Sequence, residues 1–229
     1  INYISLTGAL HAIGRAHDKP VPPLNLVGDY GGGGMLLAFG IVCALLESQR
    51  SGKGQVIDAA MTDGSALLMS IVHSLQAAGQ WQAQRGSNFL DSGAHFYEAY
   101  ETLDSKYISI GAIEPQFYTL LLEKAGLPPE NTIDQLDQEK WPAMKKHMET
   151  IFKSKTRAQW CEVLEGTDCC FAPVLDFMEA PQHPHNIARG TYISLDGITQ
   201  PAPAPRFSRT SPAVPVGAQA PEGDIDTVL

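Results

Sequence analysis

Asn25-Leu26-Val27-Gly28-Asp29-Tyr30-Gly31-Gly32-Gly33-Gly34-Met35-Leu36 sets one acid between an apolar lead-in and four consecutive glycines. Beyond them, Met35, Leu36, Phe39, Val42, Leu45 and Leu46 recur at three- and four-residue steps, which predicts a helix from about Gly33 to Arg50 with one face buried. Asp29 then stands at a helix mouth, where unsatisfied N–H groups and the positive end of the peptide dipole face outward. Two readings are open. Asp29 caps the helix, a common role for this residue, or it moves a proton or attacks a carbonyl while the N–H groups at Gly28 to Gly32 hold a developing oxyanion. Glycines without side chains let a substrate approach those groups closely. A cap needs at most one glycine, and glycine costs stability inside a helix, so the run of four favours the second reading.

Standard fingerprints fail around this stretch. The position five after Gly31 is Leu36, which breaks G-x-G-x-x-G, and Gly52-Lys53-Gly54 lacks both the upstream glycine and the Ser/Thr of a phosphate loop. No G-x-S-x-G supplies a nucleophile elbow.

Working outward, residues 1–88 read as the helical part of a larger domain with a linker, the pattern helical to about Gln80 and broken at Pro20 to Pro23 and at Ser51-Gly52-Lys53-Gly54. Gln55-Val56-Ile57 reads as a short strand or extended entry, Asp58 to Ala78 as helix, and Arg85 to Gly93 as a linker. Residues 89–181 form a small α+β unit. His95 to Thr102 and Lys106 to Ile110 alternate about a Leu103-Asp104-Ser105-Lys106 turn, a β-hairpin pattern. Helices follow at 115–125, 139–153 and 156–165, with Phe171 to Val174 extended. Residues 182–229 are proline-rich and read as irregular, since Pro201, Pro203, Pro205, Pro212 and Pro215 exclude long helix and central strand. The fold class is therefore mixed α/β.

Glu114 precedes Pro115, which favours a first helical position, so Glu114 falls at the cap site of the 115–125 helix. Glutamate is not a preferred cap. Either this is a solvated helix start, or the carboxylate serves another group.

Asn25 to Gly33 resembles the signature of the α-methylacyl-CoA racemases of the family III CoA-transferase (CaiB/BaiF) superfamily. The likeness extends over Ile1-Asn2-Tyr3 with Leu6 to Leu10, Pro22 to Asn25, Gly52 to Met61, and Phe96-Tyr97 to Phe117. It implies the C-terminal part of that fold: large-domain helices, a small α+β domain, and a tail returning to the large domain. It also implies a fragment lacking an N-terminal α/β region. The activity implied is racemisation of a 2-methylacyl-CoA thioester by 1,1-proton transfer through an enolate, with Asp29 as one acid/base group. The other is a His that the family carries just before the Ile-Asn-Tyr, upstream of Ile1, with Glu114 matching the acid that orients it. Tyr3 and Asn25 match positions near the substrate, and Gly28, Tyr30, Gly31 and Gly32 of the same motif are implied as substrate-binding residues with them. The resemblance implies a homodimer, no metal, and no cofactor beyond the CoA of the substrate. Alternatives are a CoA transferase using the same Asp as nucleophile, disfavoured because Ile110 to Pro115 lacks a glycine run, and a catalytically inactive fragment.

A net charge of −9, from 16 Lys+Arg against 25 Asp+Glu, opposes nucleic-acid binding, which needs a basic footprint. Charged residues total 18%, below the usual quarter, which points to surface covered by another domain or subunit. Cys43, Cys161, Cys169 and Cys170 show no C-x-x-C spacing, and Cys43 is expected buried in the apolar helix. Their pattern suits an intracellular, reducing compartment, cytoplasmic in a bacterium. No uninterrupted apolar run reaches membrane-spanning length, so no membrane span is expected. His183-Pro184-His185 falls short of a metal ligand set, His95 is expected to have a satisfied ring, and Asp58 and Asp63 are expected to cap or pack.

Overall fold

The computed structural model describes residues 1–128 and 134–214; Pro215 of the expected irregular tail lies outside them. Ile1–Pro173 forms one compact unit and Val174–Leu229 another.

The first unit opens with α1 (Asn2–Leu6), α2 (Ala9–Ala12), a π-helix (Leu26–Met35), α3 (Leu36–Ser51), α4 (Met61–Leu68) and α5 (Ser70–Ala77). The expected start at Gly33 is corrected: helical winding begins at Leu26 and takes in all four glycines. Gly52 ends α3 in the left-handed conformation at φ 72°, its N–H bonded to Ser48 O at 2.9 Å, as the turn cluster predicts. Gln55 to Ile57 belongs to no strand, and the helix expected over 58–78 begins at Met61 and breaks at Met69.

A second correction concerns the apolar face of α3. Met35, Phe39, Val42 and Leu45 are each at least 60% exposed, and Cys43 is exposed. Periodicity records which face prefers burial; burial itself needs an opposing element, and none covers α3 among the described residues. By length and composition the continuous helix Leu26–Ser51 is apolar enough to cross a membrane, a property shared by core helices of soluble proteins. The run criterion passed over it because Asp29 and Glu47 interrupt the apolar residues.

The core sits between Ala94 and Cys169. Strands β1 (Tyr97–Glu101) and β2 (Tyr107–Gly111) pair antiparallel, with Tyr100 opposite Ile108, and β3 (Phe171–Val174) joins β2 at the other edge. Tyr100, Ile108 and Ile110 point inward onto α6 (Pro115–Ala125), α7 (Trp141–Phe152) and α8 (Arg157–Leu164). Thr156 and Gln159 form a reciprocal capping box on α8. Trp160, 1% exposed, donates its Nε1–H to Phe152 O at 2.9 Å and meets the Phe152 ring edge-on.

The second unit corrects the irregular reading of the tail. It holds α9 (Pro184–Arg189) and a hairpin of β4 (Tyr192–Leu195) and β5 (Ile198–Pro201). Asp196 and Gly197 turn the hairpin with φ of 52° and 80°, the double positive φ of a type I′ turn. Proline is compatible with this strand because Pro201 stands at its end.

Candidate active site

Asn25, not Asp29, occupies the N-cap of the π-helix, and Asp29 lies in the first turn. Its side chain is exposed and makes no hydrogen bond or ion pair among the described residues. The capping reading therefore falls away. The N–H groups of Val27 and Gly28 find no backbone acceptor among the described residues, whereas that of Tyr30 is bonded to Asn25 O at 3.1 Å and starts the helical ladder. Of the N–H groups expected as oxyanion donors at Gly28 to Gly32, that of Gly28 is without a backbone acceptor, and that of Val27, outside the expected span, joins it. A carboxylate beside two unpaired donors at a dipole's positive end can exchange a proton while neighbouring charge is held.

Three of the glycines of the π-helix pack against neighbouring helices. Gly28 is buried, and a methyl added there would stand 3.2 Å from Ile4 Cγ2 of α1. Gly32 is buried against α4, where an added methyl would meet Ser65 N and Oγ at 2.7 Å. Gly33 faces Met61 in the same seam. These three serve helix packing. Gly31 is partly buried beside Leu68, and Gly34 is exposed.

Glu114 is the N-cap residue of α6, exposed, with no side-chain capping bond. Its carboxylate is thus not spent on the helix. Cys170 lies near enough that burial first, and then the Glu114 charge, push its thiol pKa up. No hydrogen bond or ion pair joins Glu114 to Asp29 among the described residues. Tyr3 (53% exposed), Asn25 and Tyr30 (59% exposed) are open, with Tyr3 on α1, which also carries Ile4 to the π-helix.

Two arrangements go beyond what the sequence led one to expect. The Glu98 carboxylate, 5% exposed, is held by Arg15 and by Lys145 at 2.7 Å. Burial pushes its pKa up, but the hydrogen bonds from Arg15 and Lys145 outweigh this and hold it below the usual range. The cluster borders a cavity of about 890 Å³ that also includes Glu101, Lys153 and Glu149. The alternation at Glu98 marked a strand, with no local signal for cations 83 and 47 residues away. The second is His95, fully buried, with Nε2 2.7 Å from the Tyr118 hydroxyl and Nδ1 unpartnered. The expected satisfied ring is therefore satisfied at one nitrogen only. Burial first, then repulsion by Lys145, lowers its pKa to about 4.

His183 accepts the His185 N–H at 3.3 Å as the N-cap of α9, which accounts for the His-Pro-His motif. Among the described residues no group of three His, Cys, Asp or Glu is placed to hold a metal ion.

Solved structures share this architecture. A CaiB/BaiF family protein from Brucella suis superposes with a TM-score of 0.71 at 20% identity, covering 96% of this chain and 58% of that one. In sequence, the mouse alpha-methylacyl-CoA racemase is 48% identical over all of this chain and 60% of its own length. The human alpha-methylacyl-CoA racemase is 46% identical over 94% of this chain and 56% of its own. The chain thus spans a little over half the length of these curated relatives. The model of CoA-transferase family III matches residues 1–227, and the chain belongs to that family.

Proposed function

We propose that the protein to which this chain belongs racemises 2-methylacyl-CoA thioesters by 1,1-proton transfer. The observation that carries the reading is the uncommitted carboxylate of Asp29 on the open first turn of the π-helix, in a chain 46–48% identical to racemases. The thioester oxygen takes the Val27 and Gly28 N–H groups as the α-proton leaves and an enolate forms. Asp29 serves one face of the α-carbon, and a histidine outside this chain, oriented by Glu114, serves the other. Tyr3, Asn25 and Tyr30 are exposed on α1, at the N-cap and in the first turn, and would contact the substrate. The scheme needs no metal or redox cofactor. We extend it to a homodimer, whose interface would cover the exposed apolar face of α3.

Transferases are also relatives: mouse succinyl-CoA:glutarate CoA-transferase is 26% identical over 90% of this chain. That reading uses Asp29 as a nucleophile. The lower identity and the lack of a glycine run in Ile110 to Pro115 favour racemisation. Incubation with a single epimer in heavy water distinguishes them. Racemisation places deuterium at the α-carbon without an acceptor acid, and Asp29→Ala abolishes interconversion. Thioester exchange that requires an acceptor acid, without α-deuteration, would support the transferase instead.

A further inference from the structure

We infer that the crossing of α4 over the π-helix, at Gly64 and Gly32, is what aims Asp29, and that Gly64 is a positioning residue for the proton transfer. The inference rests on the proposed role of Asp29. No side-chain bond orients that carboxylate, so its direction is inherited from the backbone that carries it. That backbone is a ten-residue π-helix. Such winding is rare beyond a single turn, and a stretch this long needs support from outside.

Support comes from α4, the element packed most extensively on it. At the seam the two backbones touch. A methyl on Gly64 would lie 1.8 Å from the Gly32 carbonyl oxygen and 2.6 Å from its carbon, and one on Gly32 would lie 2.7 Å from Ser65 N. Neither position accepts a side chain unless the helices part. The Ser65 hydroxyl is buried in the same seam without a protein partner, so nothing polar compensates there and the contact is one of shape.

The winding explains which residues reach the seam. At roughly 4.4 residues per turn for i→i+5 bonding, residues 28, 32 and 33 share one face. These are the three buried glycines, while Asp29, Tyr30 and Gly34 are exposed. An α-winding of about 3.6 residues per turn would carry residue 33 well away from residue 28. Parting α4 from Gly32 removes the reason for the wider turn, and rewinding rotates Asp29 relative to the unpaired N–H groups at Val27 and Gly28.

The test uses the complete protein with single epimers of a 2-methylacyl-CoA in heavy water, following α-deuteration and epimer interconversion separately. Gly64→Ala is expected to lower kcat for interconversion about a hundredfold, the scale of a reacting group misplaced by about 1 Å. KM stays within about threefold, and the epimer whose α-proton faces the other base still exchanges with retained configuration, a signature that general loss of structure would not leave. Gly34→Ala, whose methyl makes only an ordinary 3.4 Å contact with Asp29 O, keeps the parent rate. Should Gly64→Ala not fold, Ser65→Thr adds one methyl at the same seam and carries the same split, with a loss of about tenfold. Folded variants that interconvert at the parent rate, or that lose exchange of both epimers equally, overturn the seam's role while leaving the racemase reading intact. A parent protein that shows no α-deuteration sinks both.

Discussion

Acidification should weaken this fold through one buried imidazole. His95 is fully buried, bonded through Nε2 to Tyr118, edge-on to Phe96 and Tyr118, and repelled by Lys145. Burial and that repulsion lower its pKa from 6.5 to about 4. Between these values the unfolded chain binds a proton that the folded chain refuses. Stability is therefore full above pH 6.5, falls as the pH drops, and stops falling on this account near pH 4. At about 1.4 kcal/mol per pH unit, the loss through His95 reaches about 3 kcal/mol. Glu98 acts in a lower window: its depressed pKa gives stability present above the ordinary carboxylate value and lost below it. Urea unfolding of the parent and of His95→Gln, at about pH 7 and about pH 5, separates the two. The glutamine can still meet the Tyr118 hydroxyl but cannot titrate. The parent should lose about 2 kcal/mol more than the variant over that interval, from the same slope. Parallel pH dependence, or a His95 ring that titrates near 6.5 by NMR in the folded protein, refutes the reasoning.

Two further outcomes concern stability. Ser65→Ala removes a buried hydroxyl without a protein partner, and should raise stability by about 1 kcal/mol, read as a higher urea midpoint with unchanged slope. Trp160→Ala deletes a 1%-exposed ring between Phe152 and Lys155 and orphans the Phe152 carbonyl, so it should cost about 3–5 kcal/mol in the same assay.

The small α+β unit was legible because its signals are local. Pro115 and Gly126 bracket α6, the Thr156/Gln159 box starts α8, and alternating residues about Asp104-Ser105 make the hairpin. The tail hairpin carried an equally local signal, Asp196-Gly197, which the surrounding prolines outweighed in the sequence reading. The candidate site was legible in composition but not in geometry. One acid and four glycines mark the place, yet nothing local tells a loop from a π-helix, because glycine accepts both. That Gly32 and Gly33 are packing glycines depends on α4, some thirty residues on. Glu98 and its two cations are likewise joined only by the fold.

By itself, then, the sequence determined the family and the order of the elements described between residues 94 and 174, since capping, turn propensity and periodicity act over a few residues. Tertiary structure alone decided that the glycine run winds as a π-helix, that Gly32 rests on Gly64, that α3 keeps its apolar face exposed, and that His95 is buried and held neutral. Each of these depends on which distant backbone or charge comes within a few ångströms, and close contact between separated segments leaves no mark on local propensity.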